Sequence, residues 1–175
     1  NVLKHVSNSV EAGLRSFMDG RDFSLYTMML YQLGWVDRNG TATTPSDRER
    51  IRGSLCTLSA ILCGGCVESS IKHATAVELI HNYSIIHSDI QEGIPDRDGR
   101  PTLWSIWGPA QGINAGDGMH ALARLSLFDL QKTGVSAENV ARALRYLDKA
   151  SLKLCEGAYL DTVFQDAITV KEIDY

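Results

Sequence analysis

The sequence predicts an all-α helical bundle. Three observations carry this. Apolar residues recur at three- and four-residue spacing over long segments. Helix start and stop residues bracket those segments. No segment alternates apolar and polar residues strongly enough to read as a half-buried strand. The chain has 175 residues, 44% hydrophobic and 22% charged, which supports one packed core rather than a disordered segment.

The elements follow in order. Residues 6–18 read as a helix, because Val6, Val10, Leu14, Phe17 and Met18 share one face. Residues 23–33, rich in aromatics and Met, read as a short buried helix, and 34–44 as a loop with an Asn39-Gly40 turn. Ser46 and Glu49 form a capping-box pattern that opens a third helix, carried by Ile51, Leu55, Leu58 and Leu62 and stopped by Gly64-Gly65. Residues 67–91 are one long helix. Residues 92–101, with Gly93, Pro95, Gly99 and Pro101, are a loop. Residues 109–132 are helical again and stop at Gly134. Ser136 caps a last helix running to 164. Thr169 and Glu172 form a second capping box, and a helix starting there has one turn and nothing to pack on, so a longer helical protein is expected.

Composition excludes some functions. The net charge of −4 argues against a nucleic-acid surface. No apolar run is long enough to span a membrane. No signal-peptide pattern follows Asn1, and a cytoplasmic protein is expected. Cys63-Gly-Gly-Cys66 has the spacing of half a zinc site or a redox pair, but no second pair exists; buried or loop thiols are the expectation.

The long helix carries polar residues where a core helix is apolar: His81, Ser84, Ser88, Asp89 and Glu92 share a face. The next helix carries Gln111, Asn114 and Asp117, and the last carries Glu156 and Asp161. Such stripes describe either a polar cavity whose carboxylates hold a divalent metal, or a solvated face with satisfied polar groups. Ser84 and Ser88 have the alternative of bonding back to helix carbonyls. In the following loop, Arg97 and Arg100 suit a phosphate, or pair with the loop's own acids.

The stretch 78–92, Glu-Leu-Ile-His-Asn-Tyr-Ser-Ile-Ile-His-Ser-Asp-Ile-Gln-Glu, resembles the first aspartate-rich region of the trans-isoprenyl diphosphate synthases, the polyprenyl synthetase family. Arg97-Asp98-Gly99-Arg100-Pro101-Thr102 is similar to that family's R-R-G-x-P-T. Ile113-Asn114-Ala115-Gly116-Asp117 is similar to its I-x-A-G-D helix, and Cys155-Glu156-Gly157-Ala158-Tyr159-Leu160-Asp161 to its C-x-G-Q-x-x-D helix. These matches keep their order over residues 46–166. The resemblance implies an all-α bundle around a deep cavity, of which residues 1–175 are the N-terminal portion of a single domain. The family's Lys-Thr helix and second aspartate-rich motif lie past the stretch matched.

The resemblance also implies Mg²⁺ bound at aspartate-rich motifs, an allylic prenyl diphosphate whose ionisation the metal assists, and apolar walls that shelter the cation. It assigns Asp89 and Glu92 as metal ligands and catalytic residues, with Ser88 as a poorer ligand or a partner of metal-bound water. It assigns Arg97 to the diphosphate, and His81 and Arg50 to a second, isopentenyl diphosphate. Asp117 and Asp161 orient metal-bound groups. Tyr83, five residues before Ser88, is either the cavity floor that sets a short chain length or a core aromatic.

Departures from the family pattern matter equally. Its first Asp is Ser88 and its third is Glu92. The basic G-K-R-I-R-P aligns with residues 48–53, where Glu49 replaces Lys. Asp98 replaces the second Arg, and Ala158 replaces Gln. Two cationic contacts to isopentenyl diphosphate have become anionic, which reverses the sign of each interaction. A terpene-cyclase-like use of the allylic diphosphate is therefore expected. The alternatives are a chain-elongating short-chain prenyltransferase and a non-catalytic subunit acting on a related synthase. A homodimer or such a heterodimer is the expected assembly. A plain helical interaction domain is the reading without the resemblance.

Overall fold

The computed structural model describes residues 2–43, 49–165 and 171. Its order is α1 (Val2–Met18), α2 (Ser24–Leu33), α3 (Ile51–Leu62), α4 (Val67–Gln91), a hairpin of β1 (Asp96–Arg97) and β2 (Arg100–Pro101), α5 (Leu103–Trp107), α6 (Pro109–Phe128) and α7 (Ala137–Gln165). The all-α expectation holds. No described helix is long and apolar enough to cross a membrane.

The centre is α4, packed most heavily on α6 and α3. It is buried almost all round, from Ser70 through Ala74, Leu79 and Ile86 to Asp89. Small residues let the neighbours come close. A Cβ on Gly112 would lie 2.7 Å from Ile90 Cδ1, so α6 sits directly on α4. Val6, Val10, Leu14 and Met18 of α1 face inward at helical spacing and are buried. Met29, Leu33, Leu103, Met119, Leu130 and Val140 join Leu79 and Ile86 in one continuous core.

Several elements differ from expectation. Ser46 lies outside the described residues, and Glu49 precedes α3, whose cap position is Arg50 with no side-chain cap bond. The helix from Pro109 ends at Phe128 and tightens into a 3₁₀ turn, Asp129–Thr133, before Gly134 takes the left-handed conformation at φ 86°. Ser136 caps α7 as expected, its Oγ accepting the Asn139 N–H at 3.3 Å. The second capping box, Thr169 with Glu172, lies outside the described residues. Cys63 and Cys66 are exposed at the ends of α3 and α4, and all four cysteines are free thiols. Cys66 begins α4, its N–H donating to Ser69 Oγ at 3.3 Å.

The loop 92–101 contains a hairpin that the sequence reading missed. Asp96 pairs with Pro101 and Arg97 with Arg100. Asp98 (φ 56°) and Gly99 (φ 75°) form its tip, both in the left-handed region that a two-residue hairpin turn requires. Side chains pin it to the bundle. Tyr31 Oη donates to the Pro101 carbonyl at 2.7 Å, and Thr102 Oγ1 and Trp104 Nε1 donate to the Ile94 carbonyl at 2.8 and 2.7 Å. Arg100 stacks on the Tyr31 ring at 3.6 Å and donates to the Tyr31 carbonyl at 2.6 Å. Arg100 is therefore an anchor of the hairpin rather than a ligand contact.

Candidate active-site cleft

A cleft of about 1060 Å³ runs between α4 and α7. Tyr83, Ser84, Ser88 and Glu92 line it from α4, Arg97 from the hairpin, and Ala158 and Asp161 from α7. The spacing of the α4 residues places them on adjoining turns of one helix face. A second cavity of about 300 Å³ lies behind the hairpin, bordered by Tyr31, Ile85, Asp89, Arg97 and Arg100.

The three positions of the acidic motif are divided between these spaces. Ser88 and Glu92 face the large cleft, where Ser88 Oγ donates to the Glu92 carboxylate. Asp89 faces the small cavity and is 3% exposed. Its Oδ1 accepts from Arg97 at 2.5 Å (Nη2) and 3.0 Å (Nε). Burial pushes the Asp89 carboxyl above its ordinary range, and Arg97 opposes that shift. Asp89 and Arg97 thus form the contact that joins helix to hairpin.

His81 is half-buried one turn from Ser84, whose Oγ bonds back to the His81 carbonyl at 2.8 Å, the alternative foreseen for that serine. Burial, followed by the charges of Arg52, Arg50 and Arg97, lowers the His81 pKa from 6.5 to about 4. The imidazole is therefore neutral at pH 7.

This shift has a pH signature. The folded-state pKa lies below the unfolded value, so the unfolded chain takes up the proton first as pH falls. His81 contributes no loss above pH 6.5, and stability is lost between pH 6.5 and 4. The loss is on the order of 1 kcal/mol once solvent screening of a half-buried group is allowed for. Urea unfolding at several pH values, in wild type and His81→Gln, isolates it: the difference between the two curves should be flat above pH 6.5 and change below it.

Arg50 requires a correction. It is 4% exposed; its Nε donates to Glu11 at 2.7 Å and its Nη2 to the Leu33 carbonyl at 3.0 Å, with Trp35 stacked against it. That guanidinium holds α1, α2 and α3 together and is not presented to a ligand. Arg52, which the sequence reading missed, is exposed, and its charge acts on His81 more than that of Arg50 does. The sequence pattern carried no signal for this: of the apolar stripe read for α3, Ile51, Leu55 and Leu62 are exposed, and the buried face is Gly53, Ser54 and Thr57, which Arg50 adjoins three and four residues earlier.

The remaining expected site residues divide. Asp117 is exposed and lies 3.7 Å from Nε2 of His87, a residue that lines the cleft. Gln111 and Asn114 are exposed and bond each other at 3.4 Å, so the α6 stripe is a solvated face. Glu156 is exposed and paired with Lys153 at 2.5 Å. Asp161 does border the cleft. Tyr83 is packed against the core, as the core-aromatic reading expects. It lines the cleft, yet its ring packs on His87 and His120 with centroids 4.7 and 5.3 Å away. Its hydroxyl lies 3.7 Å from Cys155 Sγ, and burial raises its pKa to about 12.

A helical bundle with a polar cleft, one acidic motif on its central helix and an arginine hairpin beside it defines an isoprenoid-synthase type of fold. The polyprenyl synthetase family model matches residues 35–175, and the chain belongs to that family. It is 38% identical over 152 residues to a geranylgeranyl diphosphate synthase of Mycobacterium tuberculosis, covering 86% of this chain and 42% of that protein. It is 34% identical over 157 residues to a (2E,6E)-farnesyl diphosphate synthase of Mycobacterium bovis, covering 90% and 42%. Among solved structures, a polyprenyl synthetase from Streptomyces coelicolor superposes with a TM-score of 0.87 at 33% identity, over 97% of this chain and 49% of that one. The chain thus spans less than half the length of these relatives.

Proposed function

We propose that this chain supplies the N-terminal half of a chain-elongating isoprenyl diphosphate synthase, which joins an allylic prenyl diphosphate to isopentenyl diphosphate. The observation that carries the proposal is the cleft that Arg97 shares with Ser88, Glu92 and Asp161, with half-buried His81 one turn before Ser84 on the same helix and exposed Arg52 acting electrostatically on it. An elongating enzyme needs two diphosphate sites; in this reading Arg97 serves one, and Arg52 with His81 the other. The names of the relatives support elongation rather than cyclisation.

The departures at Glu49 and Asp98, which pointed toward a cyclase, fall on exposed positions, one ahead of α3 and one at the hairpin tip. They leave Arg52, His81 and Arg97 in place.

Mg²⁺ belongs to this reading. Divalent magnesium takes oxygen ligands, and Glu92, Ser88 and Asp161 present oxygens to one cleft. The donor chemistry fits, but among the described residues no three His, Cys, Asp or Glu side chains converge, so this half provides one side of a metal site. When bound, the metal neutralises the diphosphate leaving group. Arg97 binds and orients that group, Arg52 and His81 hold the second diphosphate, and Tyr83 closes the cleft against water. Assembly as a dimer, with a second copy or a related synthase, is part of the proposal; exposed Ile113, Leu125 and Phe128 of α6 offer it an apolar surface.

The test is product analysis by mass spectrometry on the intact gene product, with Mg²⁺ and allylic diphosphates of graded length, each with and without isopentenyl diphosphate. A longer diphosphate formed only with both substrates is expected. A hydrocarbon or alcohol released from the allylic substrate alone would establish the cyclase instead. No turnover by folded protein would establish the non-catalytic subunit.

A further inference from the structure

Two carboxylates outside the cleft clamp the start of α3. Glu11 holds Arg50 at the cap position, as described above. Glu78 of α4, only 3% exposed, holds Gly53 in the first turn: its Oε1 accepts the Gly53 N–H at 2.8 Å. That N–H has no acceptor within its own helix, and no side chain caps α3 from Arg50. Glycine is required for the approach. A Cβ at position 53 would lie 2.7 Å from Val10 Cγ1, 3.0 Å from Glu78 Cγ and 3.2 Å from the Ala74 carbonyl oxygen.

Burial raises the Glu78 carboxyl above its ordinary range, opposed by the Gly53 hydrogen bond and by the charges of Arg50 and Arg52. A buried carboxyl is a costly way to satisfy one backbone donor. Its location gives it a second consequence. His81 follows Glu78 by three residues, one turn along the same helix, and Arg52 is the residue next to Gly53.

We infer that Glu78 is a positioning residue for Arg52 and His81: by tying the first turn of α3 to α4 through Gly53, it fixes where Arg52, the next residue, stands relative to His81, one turn along α4. The inference rests on the proposal that Arg52 and His81 receive the second diphosphate. Glu78 touches neither substrate in this account.

The experiment uses the intact gene product with Mg²⁺, and measures KM for each substrate and kcat for four variants. Glu78→Leu removes the acceptor. Glu78→Asp keeps the charge and draws the oxygen back by one methylene, and it serves where the leucine variant does not fold. Glu78→Gln keeps an acceptor oxygen without the charge. Arg52→Ala tests the underlying site. Expected for the Leu and Asp variants is a rise of about tenfold in KM for isopentenyl diphosphate, with allylic KM and kcat within about twofold. Gln should restore the isopentenyl diphosphate KM to within about threefold of wild type.

A rise in KM for Arg52→Ala without one for Glu78→Leu or Glu78→Asp overturns the positioning role alone. So does a parallel loss of both KM values and kcat, or failure of Gln to rescue, since either marks a residue of the core and nothing more. An unchanged KM for Arg52→Ala overturns the second-diphosphate site and the inference with it.

Discussion

Arg97→Ala in the intact gene product is expected to lower turnover by about a hundredfold or more, because it removes a preorganised cation from the diphosphate. It also breaks the pair with Asp89, whose side chain is 4% exposed. Leaving a buried carboxylate without its partner costs about 3–5 kcal/mol in the limit of full burial. The Arg97 side chain is 44% exposed, so about 2 kcal/mol is the appropriate expectation after screening. The two losses separate in a double variant. Asp89→Asn added to Arg97→Ala should recover much of the stability in urea unfolding and none of the turnover. Turnover within about twofold of wild type for the single variant would remove Arg97 from the diphosphate site.

Gly53→Ala is the substitution expected to damage the fold most for its size. Gly116 and Gly118 also sit against neighbours, but the atoms they meet belong to the His87 ring and the end of the Met29 side chain, with no backbone atom among them. At Gly53 the new methyl meets Val10, the Glu78 stem and a backbone carbonyl together. The carbonyl moves only if α4 moves. Overpacking of this kind costs about 1–3 kcal/mol, and the upper end applies here. The midpoint of urea unfolding should fall at unchanged slope. A change below about 0.5 kcal/mol would show that α3 slides on α4 freely.

Much of the architecture was legible because its signals are local and periodic. The bounds of α4 follow from the two glycines before it and the Gly-Pro loop after it, and the α1 face from Val6, Val10, Leu14 and Met18. The hairpin was hidden because each strand has two residues, too few to show alternation, although Asp98-Gly99 is a turn signal in its own right. Short α5, with Trp104 and Trp107, gave no period to read.

The candidate site was legible in its members and not in their directions. The resemblance brought Ser88, Asp89, Glu92 and Arg97 to one region. It did not separate Asp89 from Ser88 and Glu92, because that depends on which side of α4 the hairpin packs. The exchange of Arg50 for Arg52 has the same origin: both are cations of one motif, and only burial distinguishes them.

Arg97 borders both the large cleft and the small cavity behind the hairpin, and its guanidinium already serves Asp89. The two spaces therefore share one cation. An anion entering the cleft draws that charge toward itself and leaves Asp89 less compensated on the other side. Anything that neutralises Asp89 releases the charge again. Two ligands, one in each space, would thus sense each other without touching. Thermodynamic reciprocity makes the effect of the first on the second equal to the effect of the second on the first.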